Sequence, residues 1–285
     1  MHIVPVHYYS PLPDFREMTD AVLERKLPLP GIDLNHARQE EWRQTLAKYS
    51  PEFMKTIVTP STEAEREALE KEFRYYLGGT FAITPADALQ YYAAIRFFKP
   101  KNIVEVGAGG TSRIALQAVT DLSKEGVKTK YNVIEPYINQ LHTKGLLQAG
   151  KKFDFKIIEQ PVQDVSLDVF TGLGAGDILL IDSSHRIFPG SDVQTLYLNV
   201  LPRLAPGVVV LIHDILLPYE YGIGWYRTTR FLANEAYILQ ALLVENPKFE
   251  IISFPMEIQK ENQDLWKLAV GENAGPTGFA VIQRK

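Results

Sequence analysis

Residues 103–113 read Ile103-Val-Glu-Val-Gly-Ala-Gly-Gly-Thr-Ser-Arg113. An aliphatic strand carrying one acid, Glu105, runs into a glycine-rich turn, Gly107-Ala108-Gly109-Gly110, that opens a helix. Glycine without a Cβ allows close approach of a ligand to the backbone. The next aliphatic run, Tyr131–Ile134, ends in Glu135, 26 residues after Gly109. An acid there is placed to accept hydrogen bonds from both hydroxyls of a ribose. Strand, glycine turn, helix, strand and acid together predict a nucleoside site in an open α/β sheet, where ligands lie at the carboxyl ends of the strands beside the switch in strand order.

Working outward, the same alternation continues to the C-terminus. Strands are expected at 103–106, 131–134, 153–159, 177–181 and 207–212, with helices at 111–123, 137–148, 192–204 and 230–245 between or after them. Continuous aliphatic strands separated by helices predict βαβ units and a parallel sheet covered on both faces. Two last strands, 249–253 and 278–283, have no long helical stretch between them and suit an antiparallel pair. Upstream, Asn35 starts a helix to about Lys48 with Trp42, Leu46 and Tyr49 as its buried stripe, and Thr62-Glu-Ala-Glu65 is a capping box for a helix to about Leu77. In that second helix Phe73, Tyr76 and Leu77 form an apolar stripe expected in the core. Thr84-Pro85-Ala-Asp87 opens a third helix with a capping threonine, a proline at the first position and an acid in the first turn. A short helix around 16–26 sits in a proline- and aromatic-rich arm.

Composition narrows the functional classes. The 285 residues carry a net charge of −4 from 30 basic and 34 acidic side chains, which argues against a general nucleic-acid binder. The absence of cysteine removes disulfide scaffolds, thiolate metal sites and cysteine nucleophiles together. The longest aliphatic run, 207–212, is far below the roughly 18 residues that span a bilayer, and the first ten residues lack a signal peptide's basic and apolar regions. A cytoplasmic protein with no membrane or nucleic-acid partner is expected; a homo-oligomer is left open.

Two nucleoside cofactors suit the glycine turn. A dinucleotide fingerprint calls for a third glycine where this chain has Ser112. Glu105-x-Gly107-x-Gly109 instead resembles the first motif of the class I S-adenosylmethionine-dependent methyltransferases, and the resemblance extends over residues 84–285. Within that class the chain is similar to the type-24 methyltransferase domain group at Ile181-Asp-Ser-Ser-His185, Gly190-Ser-Asp192, Leu201-Pro-Arg-Leu-Ala-Pro-Gly207, His213-Asp-Ile215 and Asn234-Glu-Ala-Tyr237. Tyr8-Tyr-Ser-Pro-Leu-Pro13 and Leu29-Pro-Gly-Ile-Asp33 look like the leader of the same group. The resemblance implies an α/β, doubly wound, mostly parallel seven-stranded sheet, with residues 1–83 as an N-terminal arm and helical extension on the substrate side and 84–285 as the methyltransferase domain. It implies S-adenosylmethionine as cofactor, with Gly107, Ala108, Gly109 and Gly110 holding the methionine portion and Glu135 the ribose. Val162, Gln163 and Asp164 lie by the adenine, and Glu105 and Asp182 are counted among the cofactor-binding residues.

A second constellation is Asp182, His185, His213 and Asp214, at the predicted ends of the fourth and fifth strands. Meeting above one cleft, these groups suit two jobs. Asp182, Asp214 and His213 can hold magnesium or another divalent metal that orients and acidifies a substrate hydroxyl. Alternatively, His185 or His213 can take the hydroxyl proton directly. The aromatic, glycine-bearing loop 217–227 suits a substrate lid, in which Glu220 and Arg227 can meet a polar acceptor, or a packed surface segment. His2, His7, His36 and His142 fit structural or solvated roles. The expected activity is methyl transfer to the hydroxyl of a small polar metabolite, sugar or natural product. The alternatives are a nicotinamide-dependent oxidoreductase and a methyltransferase-fold binding protein without catalysis.

Overall fold

The structure, a computed structural model, describes residues 17–78, 83–138, 146–228 and 231–285. The sequence features at 1–16, including His2 and His7, lie outside them, as does His142. In chain order the elements are α1 (Asp20–Leu23), α2 (His36–Met54), α3 (Glu63–Lys71), α4 (Pro85–Phe98), β1 (Asn102–Val106), α5 (Gly110–Lys124), β2 (Lys130–Ile134), β3 (Asp154–Ile158), α6 (Asp168–Thr171) and β4 (Ile178–Ile181). They continue with α7 (Asp192–Thr195), β5 (Val209–Ile212), α8 (Glu235–Leu243), β6 (Phe249–Ser253), α9 (Met256–Glu261), α10 (Gln263–Val270) and β7 (Ala280–Arg284).

Among the described residues the strands form one sheet in the order β3-β2-β1-β4-β5-β7-β6. The first five pair in parallel; β7 is antiparallel to both β5 and β6. β4 and β5, Ile-Leu-Leu-Ile and Val-Val-Leu-Ile, are buried along their whole length, as strands covered on both faces must be. One face packs under α2, α4, α5 and α10 through Ile103, Tyr131, Leu180 and Leu211; the other, through Val104, Ile181 and Ile212, packs against residues of α7 and α8. The order reverses between β1 and β4, so the ligand crevice lies above their carboxyl ends.

Several helix boundaries differ from the sequence expectation. α2 runs past Lys48 through Pro51 to Met54 because the buried stripe of Trp42, Leu46 and Tyr49 continues to Phe53, which stacks on Tyr92. α3 stops at Lys71, six residues short of Leu77, and none of its own residues is buried. Phe73 takes a left-handed φ of 56°, and Phe73, Tyr75 and Tyr76 reach the interior from irregular backbone rather than from a helical stripe. The helix expected at 192–204 changes form twice. α7 gives way to a π-helical turn at Leu196–Val200 and then to a 3-10 turn at Leu201–Arg203, where Pro202 has no amide proton to donate. In the stretch expected as helix at 137–148, residues 139–145 lie outside the described ones, and Leu146–Lys151 is 3-10. β6 and β7 pair antiparallel as expected, but α9 and α10 intervene between them.

The described N-terminal residues share the core of the sheet. α2 packs on α4 and α10, and Leu23 joins the opposite apolar layer. No helix among the described residues is long and apolar enough to cross a membrane.

Candidate active site

Above the carboxyl ends of β1, β2 and β4 lies a cleft of about 530 Å³, bordered by Gly107, Ala108, Glu135, Val162, Gln163 and Asp182. Gly107 has φ of 91°, and a Cβ there would lie 1.9 Å from the carbonyl oxygen of Asp182. Its glycine is therefore required by the contact of β1 with β4. Gly109 is extended, and its N–H donates to Ser112 Oγ at 3.1 Å, so the serine in place of a third glycine latches the turn. Glu135 is buried, and its two carboxylate oxygens accept the N–H groups of Ala108 (3.1 Å) and Tyr137 (2.7 Å). Each oxygen keeps capacity for a further donor from the cleft.

Other residues counted with the cofactor stand back from the cleft. Glu105 is fully buried beneath the turn, accepting hydrogen bonds from Thr111 Oγ1 and the Tyr131 hydroxyl. Burial pushes its carboxyl up to about 8 against the pull of those two donors. Asp164 is exposed; neither it nor Gly109 or Gly110 borders the cleft. Tyr137 and Phe188, which the sequence reading missed, present half or more of their surface at its rim. An aromatic two residues after Glu135 was the available signal for Tyr137.

The second constellation does assemble. Asp182 and Ser183 follow β4, His213 and Asp214 follow β5, and one ligand atom from each of Asp182, His185, His213 and Asp214 falls within 4.8 Å of all the others. His185 Nε2 lies 3.5 Å from Asp182 Oδ1 and 3.3 Å from Asp214 Oδ2; His213 Nδ1 lies 3.2 and 3.5 Å from the Oδ1 atoms of the same two aspartates. The far nitrogens meet two further acids. His185 Nδ1 is 2.8 Å from Glu235 Oε2, and His213 Nε2 is 3.6 Å from Asp87 Oδ2. Burial works against charge on both rings, but their carboxylate neighbours prevail, pushing His185 up to about 10 and His213 well above its usual range. Burial opposes ionisation of Asp182 too, yet the two imidazoles hold it well below the ordinary carboxylate range; burial dominates at Asp214 and raises it. His185 and Asp214 both take left-handed backbone, with φ of 56° and 58°, the kind of local strain that gathers at functional sites.

Residues 104–215, from β1 to just past β5, match a family described as "Methyltransferase domain". An uncharacterised protein of Archaeoglobus fulgidus is 33% identical over 178 residues, which make up 59% of this chain and 72% of that protein. The chain belongs to this methyltransferase family. The SAH-bound methyltransferase PaMTH1 of Podospora anserina aligns over 97% of this chain and 99% of its own, at 15% identity and a TM-score of 0.42. An O-methyltransferase from Bacillus cereus in complex with SAH aligns over 86% and 99%, at 13% identity and a TM-score of 0.47.

In the methyltransferase the segment after β5 is packed. Tyr221 and Tyr226 are buried, and Tyr221 meets Trp225 and Tyr226 ring to ring. Glu220, expected to meet an acceptor, is instead buried between Arg25 (2.8 Å) and the Tyr237 hydroxyl (2.6 Å). Arg227 pairs with Asp20 and donates to the Met18 carbonyl. Both side chains are thus engaged with the chain itself. His36 starts α2 and borders a separate groove beside α9 and α10.

Proposed function

We propose that this methyltransferase moves the methyl group of S-adenosylmethionine to a hydroxyl oxygen of a small polar acceptor bound beside Asp182. One observation carries the reading: Asp182 borders the cleft and also belongs to the histidine–aspartate cluster, so the cofactor side and the acceptor side meet at one residue. The cleft fits the cofactor. Glu135 offers anchored carboxylate oxygens for the ribose hydroxyls, the Gly107–Ala108 backbone lies open to the methionine portion, and Val162 gives an apolar wall for the adenine. Glu105, Gly109 and Gly110 act by shaping the turn. The cofactor supplies a methyl carbon on a sulfonium: the new O–C bond forms as the C–S bond breaks, the electron pair stays on sulfur, and the hydroxyl proton is released.

The cluster fits a divalent cation. Asp182, Asp214, His185 and His213 would hold it, and it would supply Lewis-acid polarisation of the acceptor hydroxyl. An unassisted histidine base fits less well, because the carboxylates around each ring favour its protonated form. Two of the cluster's four side chains, His185 and His213, are buried and the two aspartates only partly exposed, which favours a small acceptor.

Calorimetric titration of S-adenosylmethionine against wild type and Glu135→Ala tests the cofactor side. Loss of hydrogen bonds to a charged acceptor predicts at least about 10-fold weaker binding. Unchanged affinity, or preference for a nicotinamide dinucleotide, overturns it. Transfer of labelled methyl to hydroxylated sugars and phenols, with and without added divalent metal, tests the acceptor side; methylation at nitrogen or carbon overturns it.

A further inference from the structure

We infer that Asp87 and Glu235 are positioning residues, which hold His213 and His185 from behind so that one nitrogen of each ring faces Asp182 and Asp214 as a ligand for a first-row transition ion. The inference rests on the cation reading of the cluster given above.

Both acids are buried in the first turn of a helix, Asp87 in α4 and Glu235 in α8. A helix-start acid ordinarily faces water and the free N–H groups of its own first turn. These two face imidazoles. Glu235 lies 2.8 Å from His185 Nδ1, and the backbone N–H groups of Asn234 and Glu235 both point at the His185 carbonyl, at 3.0 and 3.3 Å. The start of α8 therefore fixes both the backbone and the ring of a residue in left-handed conformation. Asp87 Oδ1 accepts the Gly278 N–H at 2.9 Å, its Oδ2 lies 3.0 Å from the Thr84 hydroxyl, and His213 Nε2 stands 3.6 Å from the same Oδ2, at ion-pair and not hydrogen-bond distance.

The consequence falls on the inward nitrogens. A neutral imidazole whose outer nitrogen carries the proton for a carboxylate presents a lone pair at the other. Here those inward nitrogens, His185 Nε2 and His213 Nδ1, stand 3.2–3.5 Å from carboxylate oxygens of Asp182 and Asp214. Protons on the inward nitrogens can bridge them to these carboxylates, and a divalent cation that takes the place of those protons meets four ligand atoms already gathered within 4.8 Å of one another. Two imidazoles with two carboxylates suit zinc, manganese, iron or cobalt, whereas magnesium prefers an all-oxygen octahedron. A carboxylate behind each ligating imidazole fixes its tautomer and raises its basicity.

The test uses full-length protein stripped with chelator and titrated with zinc, manganese, cobalt or magnesium salts, with calorimetry and cobalt visible absorption as readouts. Wild type is expected to bind zinc and cobalt well ahead of magnesium. Asp87→Asn and Glu235→Gln should each weaken zinc binding about 10- to 100-fold and alter the cobalt bands, while S-adenosylmethionine affinity stays within twofold. Glu235→Asp, which keeps the charge, should recover part of the loss and stands in if the amide variant fails to fold. Tight zinc binding left unchanged in folded Asp87→Asn and Glu235→Gln overturns the positioning role while the cation reading stands. Binding of magnesium as tight as zinc overturns the transition-ion assignment. No binding of any of the four ions by wild type removes the cation reading and this inference together.

Discussion

A methyl group on Gly107 would sit 1.9 Å from the carbonyl oxygen of Asp182, where nothing but backbone can yield. Its φ of 91° adds the ordinary cost of a side chain in that region. Together these predict that Gly107→Ala loses about 2–5 kcal/mol of stability and pushes Asp182 away from the cluster. Urea unfolding measures the first and zinc titration the second; a variant with wild-type midpoint and affinity would show that the turn tolerates a Cβ. Glu105 gives the opposite kind of prediction, one of pH. Its carboxyl is raised from an ordinary 4.5 to about 8, so the folded protein holds a proton that the unfolded chain releases. Its contribution is fully present below about 4.5 and is lost as pH rises through about 8. Glu105→Gln should therefore show a smaller fall in melting temperature between pH 6 and pH 9 than wild type does. Parallel curves would mean that Glu105 is ionised in the fold.

At the scale of elements, local chemistry explains what could be read from the chain. The aliphatic runs became β1, β2, β4 and β5 within two residues because strands buried on both faces need no polar partner pattern. Thr62 with Glu65, and Thr84 with Pro85 and Asp87, cap α3 and α4 as their spacing required. Helix ends were less legible because distant contacts set them. α3 ends where Tyr75 must give its N–H to Gln117 and its hydroxyl to the Ile83 carbonyl, which a continuing helix would prevent. The same limit hid the acids behind the cluster. Asp87 looked like an ordinary first-turn acid, and Glu235 lay inside a motif without an assigned role; their imidazole partners sit on other strands and loops. Asp182, His213 and Asp214 were legible because the sheet topology brings the ends of β4 and β5 together; His185 follows β4 in a loop that the start of α8 holds in place.

At the scale of the whole molecule, the stretch after α1 ties the amino-terminal part to the segment beside the cluster. Leu27 N–H donates to the Pro218 carbonyl at 2.6 Å, Glu220 N–H to the Arg25 carbonyl at 3.3 Å, and Lys26 bridges to Tyr219. Lys26 also reaches Glu257 and Glu261 at 2.7 and 2.6 Å, so the strap spans to α9. Arg25 is half exposed, but its partner Glu220 is buried, so removing the arginine leaves a buried carboxylate with only the Tyr237 hydroxyl. Discounted for the arginine's exposure, Arg25→Ala should cost about 1–3 kcal/mol. The loss should concentrate in the segment 217–228, because the sheet beneath it keeps its own hydrogen bonds. Hydrogen exchange is expected to rise there and not in β4 or β5. If the strap shapes the acceptor side, KM for the acceptor should increase while S-adenosylmethionine affinity is preserved, since Glu135 and the glycine turn lie on the other flank of Asp182. Equal loosening of β4 and β5, or loss of cofactor affinity in proportion, would instead make residues 19–34 a general support of the fold.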